Sequence, residues 1–168
     1  MRPRTTRRVV VGVDGTARTV AALRWAATEA LRRDAELHAV YAWGNVVRPA
    51  SYAPVTDRST PDESARRAAA RLAETVHLAF GASPPVPVLE VVDDRAPVPA
   101  LLDHGRDAEL LVLATRVSGG PGSARGESGP GSTTLSCLRL PPCPVVVLPT
   151  VGDRVAPAMP RRAAATSR

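Results

Sequence analysis

Short apolar runs and helix-period segments take turns along this chain, and few architectures accept that order. Val9, Val10, Val11 and Val13 form a β-branched run ending at Asp14-Gly15, the pattern of a buried parallel strand entering a turn. A helix follows at once: Thr16 is placed to cap it, and Val20, Leu23, Ala27, Ala30 and Leu31 recur at three- and four-residue steps. Arg18, Arg24, Glu29 and Arg32 fall largely off that stripe. Leu37 to Trp43 reads as a second strand, and Asn45 to Ser59, with Pro49 and Pro54, as a loop without period. Thr60-Pro61-Asp62-Glu63 starts a helix with a capping Thr, Pro in the first turn and acids beside it. Ala65, Ala68, Ala69, Leu72, Val76, Ala79 and Phe80 supply its apolar face, and Gly81 stops it. Val86 to Val92, Leu110 to Ala114 and Pro144 to Leu148 complete the strands, with a short helix over Pro97 to Arg106 and a last one opening at Gly131-Ser132.

Such alternation predicts an α/β domain, a doubly wound five-stranded parallel sheet with helices on both faces. Ligands of these sheets bind outside the carboxyl ends of the strands, where the strand order reverses. Gly12 to Thr16, Ala42 to Asn45 and Ala114 to Thr133 are the segments expected to meet there. At 168 residues the chain suits one domain. The expected division is a flexible basic segment over 1–6, a folded domain over 7–149, and a disordered Pro/Ala/Arg-rich tail over 150–168.

Composition removes several functions. Aromatic residues make up only 3% of the chain, too few for a base-stacking nucleic-acid module. All 22 basic residues are Arg, which excludes a phosphate-binding Lys, a Schiff base and a Lys general base. The net charge of +6 comes from the ends, where Arg2, Arg4, Arg7, Arg8, Arg154, Arg161, Arg162 and Arg168 lie. Without these and Asp153, 14 basic residues face 15 acidic ones, so solvated termini are expected and nucleic acid is not an expected partner. The apolar run Val9 to Val11 is too short for a secretory or membrane segment, so a cytoplasmic, reduced protein is expected. Cys137 and Cys143 match no zinc spacing, and His38, His77 and His104 lie far from them, so structural thiols and no metal are expected.

Gly12-Val13-Asp14-Gly15-Thr16 puts a carboxylate at a strand end beside a helix N-terminus, where it either caps the helix or holds a ligand hydroxyl or amine. The segment is not a dinucleotide fingerprint, which needs three glycines, since only Gly12 and Gly15 are present. Between Thr115 and Ser132 stand six glycines, Gly119, Gly120, Gly122, Gly126, Gly129 and Gly131, with Arg116 and Arg125. This stretch reads as a loop that wraps phosphates with backbone amides and ends on a helix N-terminus, or as a low-complexity excursion. No nucleophile, base and orienter pattern is present, and no catalytic residue is expected. Asp93, Asp94, Asp103 and Asp107 read as caps and solvated groups.

These residues resemble the universal stress proteins of the UspA type. The resemblance rests on Val9-Val10-Val11-Gly12-Val13-Asp14-Gly15-Thr16, Ala22-Leu23-Arg24-Trp25-Ala26 and Tyr41-Ala42-Trp43 in the first half. In the second half it rests on Asp107 to Arg116, Gly131-Ser132-Thr133-Thr134 and Pro142-Cys143-Pro144-Val145-Val146-Val147. It implies a Rossmann-like, adenine nucleotide alpha hydrolase-like domain that pairs into a homodimer through its last strand. Such pairing would also cover the apolar edge Val145 to Leu148.

The resemblance further implies an ATP-binding stress-response sensor or regulator, with or without magnesium and at best slowly hydrolytic. Its implied nucleotide-binding residues are Gly12, Val13, Asp14, Ala42, Ala114, Gly131, Ser132 and Thr133, with Asp14 on the nucleoside and the Ala42 backbone on adenine. The family's phosphate loop runs Gly, two residues, Gly, nine residues, Gly, Ser or Thr. Gly131-Ser132 matches its end, while its leading glycines fall on Ala114 and Val117, or on Ser118 and Pro121. That departure leaves an alternative, a dimeric interaction protein of the same fold with a degenerate phosphate loop.

Overall fold

The computed structural model describes residues 7–44, 60–116, 131–151 and 154–155. Strand β1 (Arg8–Gly12) lies at the centre of the sheet, between β2 (Glu36–Ala42) and β4 (Leu110–Arg116). β3 (Val88–Asp93) flanks β2, and β5 (Val145–Val151) flanks β4. These five strands are parallel, and a two-residue β6 (Arg154–Val155) adds to β5 in the antiparallel sense, giving the order β3-β2-β1-β4-β5-β6. Val9, Val10 and Val11 are fully buried, as a strand covered on both faces requires.

Side chains alternate across the sheet, and two cores follow from that period. Val9 and Val11 pack with Leu23, Ala27, Leu72 and Val76 under α1 (Ala17–Arg32) and α2 (Pro61–Phe80). Val10 packs with Leu101, Leu111, Leu113 and Cys137 under α3 (Pro97–His104) and α4 (Ser132–Arg139). The chain winds outward from β1 through β2 to β3, then returns to β4 on the other side. β1 and β4 therefore bound the point where strand order reverses, and a crevice opens beyond their carboxyl ends.

Local chemistry sets the helix limits. Thr60 and Glu63 form a reciprocal capping box: Glu63 N donates to Thr60 Oγ1 at 3.3 Å, and Thr60 N donates to Glu63 Oε2 at 2.8 Å. Gly81 ends α2 with φ of 65°. α1 buries Thr19, Ala22, Leu23, Ala26, Ala27 and Ala30, so its contact stripe is rotated from the expected one toward Ala22 and Ala26. Leu31, assigned to that stripe from sequence, is 61% exposed. One residue beyond Ala30 turns about 100° round the helix, which carries Leu31 off the sheet. In α2, Ala69 is likewise exposed, and Thr75 takes a buried place by donating to Arg71 O at 2.7 Å.

Strand limits shift by a residue or two, except in β5. It continues to Val151, beyond the expected end at Leu148, so Thr150 belongs to the sheet and not to the tail. Thr150 is fully buried, donates through Oγ1 to Thr115 O at 3.0 Å, and pairs with Val155 of β6. A polar side chain satisfied within the sheet lets a strand run past its last aliphatic residue. Residues 1–6 and the remainder of the expected tail lie outside the described residues.

Candidate functional site

A cleft of about 220 Å3 opens at the carboxyl ends of β1, β2 and β4. Gly12, Val13, Val40, Tyr41, Ala42, Leu113 and Ala114 line its sheet side, with Asp14 and Thr19 on one flank. Pro97 and Leu101 of α3 and Thr133 and Thr134 of α4 line the other. At Gly12 a Cβ would stand 3.1 Å from Leu113 Cδ2 and 3.2 Å from Leu101 Cδ2. Its missing side chain therefore lets two leucines close the floor.

The turn after β1 is organised by Asp14. Its Oδ1 accepts from Thr16 N at 2.9 Å and Thr16 Oγ1 at 2.5 Å, while Arg18 Nη2 lies 3.3 Å from Oδ2. Gly15 has φ of +75°, a conformation that favours glycine. Thr16 occupies the N-cap position but makes no side-chain cap bond, because its hydroxyl is turned to Asp14. The carboxylate thus shapes the helix entry and also lines the cleft.

Across the cleft, α4 begins differently. Gly131 is its N-cap, no side chain among the described residues caps it, and Ser132 is exposed. Among the described residues, nothing lies within 4 Å of where a Gly131 Cβ would be. Of the residues singled out in the sequence, Gly12, Val13, Asp14, Ala42, Ala114 and Thr133 line the cleft. Gly131 and Ser132 open the helix whose next two residues do so. Val117, Ser118, Pro121 and the rest of the Gly-rich stretch to Pro130 lie outside the described residues.

A second carboxylate, expected to be a solvated group or a cap, proves to be a buried clamp. Asp93 is 8% exposed. Its Oδ1 accepts from Arg95 N and Nε, both at 2.9 Å, and its Oδ2 from Arg95 Nη2 at 2.7 Å and His104 Nε2 at 2.9 Å. Arg95 also reaches Asp103 Oδ2 at 3.1 Å. The Arg95 side-chain bond, helped by the Arg95 amide and His104, holds the Asp93 carboxyl well below the usual carboxylate range despite its burial. Because Arg95 precedes α3 and His104 ends it, the clamp positions the helix that carries Pro97 and Leu101 to the cleft. Gly44 seals the adjoining crossing: its N–H donates to Arg95 O at 3.0 Å, and a Cβ there would stand 2.2 Å from Asp94 O.

The remaining titratable groups are placed elsewhere. Asp14 and Tyr41 are the cleft-lining residues that ionise, among the described residues. Burial pushes both thiols, Cys137 and Cys143, up in pKa, away from the reactive thiolate. His38 is held below its ordinary value, chiefly by burial. No group of three His, Cys, Asp or Glu among the described residues is arranged to hold a metal ion, and none of the described helices is long and apolar enough to cross a membrane.

The family model of the universal stress protein family matches residues 5–149. The chain belongs to this family. A universal stress protein of Mycobacterium tuberculosis is 33% identical over 150 residues, covering 88% of this chain and 49% of the relative. One of Mycolicibacterium smegmatis is 31% identical over 142 residues, covering 83% and 47% respectively. The chain therefore spans about half the length of the curated relatives it matches. Among solved structures, UspA of Lactobacillus plantarum aligns with a TM-score of 0.55 at 24% identity, covering 84% of this chain and 96% of the other. A universal stress protein solved in complex with cAMP aligns with a TM-score of 0.52 at 22% identity, covering 86% and 98%. The universal stress protein fold, Rossmann-like with five parallel strands, is thus shared.

Proposed function

We propose that this universal stress protein binds an adenine nucleotide, ATP foremost, in the cleft and acts as a ligand-responsive regulator of the stress response. The observation that carries this is the convergence of Asp14, the Ala42 strand end and Thr133 on one crevice at the reversal of strand order. The Asp14 carboxylate suits a ribose hydroxyl, and the strand end at Ala42 offers backbone donors and acceptors to the edge of a base. At about 220 Å3 the cleft is smaller than the roughly 300–1,000 Å3 of pockets for drug-sized ligands, so in this reading it takes the base and sugar while the phosphates project toward α4. There the helix N-terminus favours anions, and among the described residues nothing lies within 4 Å of a Cβ placed on Gly131. The relative solved with cAMP supports an adenine ligand. With Asp14 the sole carboxylate on the cleft among the described residues, any magnesium would be held mainly by the phosphates themselves.

Calorimetric titration with ATP, with and without magnesium, tests the proposal. Dissociation constants in the micromolar range, weakened about tenfold or more by Asp14→Ala, are expected. No heat of binding at millimolar ATP would overturn it and favour the interaction-protein alternative. A homodimer through β5 accompanies either function. Val145, Val146 and Val147 are only half-buried, and Leu138 and Leu140 nearby in sequence are 41% and 78% exposed. Light scattering is expected to give twice the chain mass at micromolar concentration, and a stable monomer would reject the pairing.

A further inference from the structure

The outer edge of the sheet beyond β4 is already shared by two strands of the same chain. β5 runs from Val145 to Val151, and β6 pairs with its carboxyl end on the side turned away from β4. Thr150 stands opposite Val155, and Val151 opposite Arg154. Only Gly152 and Asp153 separate the two strands in sequence, and Gly-Asp is a residue pair that suits a two-residue hairpin connection. β6 also lies beside α1, so a second element borders it. This side of β5 is the one a second copy would use. About a two-fold axis normal to the sheet, the strand it brings runs antiparallel to β5, as β6 does.

Connectivity decides which strand holds the shared positions. A strand tethered by two residues is present at its site at an effective concentration of about millimolar or more, far above that of a second copy at micromolar concentration. β6 therefore keeps Thr150 and Val151, and a second copy is left with Val145 to Pro149. Pairing over the whole of β5 would centre the two-fold axis on Leu148 and set Val145 against Val151 of the second copy. Over the shortened stretch the axis moves to Val147, which then faces Val147 of the second copy, and every pair made through Val151 is lost. We propose that β6 is an autoinhibitory strand, which restrains self-association through β5 and sets the register in which two copies meet. The inference rests on the β5 pairing given above and adds its regulation.

Sedimentation equilibrium on the full chain and on its Arg154→Pro variant, which puts a residue without an N–H into β6, tests the restraint. Chains ending at Val155, which keep β6 without the basic tail, and at Val151, which lack both, separate the strand from the charge that follows it. The full chain and the one ending at Val155 are expected to share one dimer dissociation constant, while Arg154→Pro and the chain ending at Val151 dimerise about tenfold more tightly. Circular dichroism checks that each is folded. For the register, Val147→Cys is expected to cross-link to itself under oxidation, since facing residues of such a pair have Cα atoms about 5.5 Å apart, and to do so less once Arg154→Pro is added. Equal dissociation constants in all four chains, or weaker pairing without β6, overturn the restraint and leave the β5 pairing standing. A cross-link unchanged by Arg154→Pro overturns the register. Monomers in all four at every concentration overturn the inference together with the pairing.

Discussion

At the β1–α1 turn both oxygens of Asp14 have donors supplied by the chain itself, from Thr16 and Arg18. At the α4 N-terminus, among the described residues, no side chain caps the helix and nothing lies within 4 Å of a Cβ placed on Gly131. The β3–α3 turn resembles the first case more strongly, since Asp93 satisfies Arg95 and His104 while almost wholly buried. Two of the turns that frame the cleft are thus held by carboxylates and complete without a ligand. The third has no side-chain cap among the described residues. The contrast teaches where this domain keeps rigidity: the β1–α1 and β3–α3 turns are tied down by their own carboxylates, whereas among the described residues no side chain ties down the α4 start.

The largest test of that contrast is Asp93→Ala. It removes the acceptor of Arg95 and His104, and because both of those partners reach solvent the loss is about 1–3 kcal/mol, that of hydrogen bonds to a charged group. Urea denaturation is expected to show that loss, and a change under 1 kcal/mol would mean that the clamp does not hold α3. Acid titration sharpens the same point. Because the folded-state pKa of Asp93 is depressed, its contribution is complete above the unfolded value of about 4 and is lost as pH falls below it. The acid limb of a stability–pH curve is therefore expected to flatten in Asp93→Asn.

Asp14→Ala should cost less, about 1 kcal/mol, since the Asp14 side chain is 53% exposed and its bonds are local. A thermal melt that moved as far as that of Asp93→Ala would erase the distinction between the two turns. Smallest of all is the effect on the open side. Among the described residues Gly131, with φ of −60°, has room for a methyl group and Ser132 makes no cap bond, so Gly131→Ala and Ser132→Ala are expected to change stability by less than about 1 kcal/mol. Their nucleotide affinity is nevertheless expected to fall about tenfold in calorimetry. A large loss of stability in either would show that the helix start is structural and not a free anion site.

Element order was legible because each element advertises itself within a few residues. The Val9 to Val13 run, the Thr60–Glu63 box and the Gly81 stop are local devices, and each appears where its residues imply. Six cleft residues were legible for the same reason: parallel sheets place their ligands at strand ends, which short motifs mark. What was not legible depends on long-range contact. Leu31 shares the spacing of a core residue, and only the orientation of α1 on the sheet, set by Ala22, Ala26 and Ala30, exposes it. Asp93 looked solvated because its partner His104 lies a helix away, and nothing local announces the bond. Pro97 and Leu101 reach the cleft through that same helix, which carries no motif. Thr150 was assigned to the tail because the partner strand that receives it, β6, is two residues long.

The free side of β5 carries a consequence for chain-on-chain growth. Leu111 N donates to Pro144 O, so in a parallel ladder the even-numbered residues of β5 bond to β4, and Val145, Val147 and Pro149 point their backbone outward. Proline has no N–H to give, and just beyond Pro149 the edge is taken by β6. The outward ladder is therefore only a few residues long, shorter than the six or seven of a segment that stacks indefinitely into fibrils. An edge of this length is a ruler: it accepts one short strand, and it gives a spreading cross-β template nothing to extend upon.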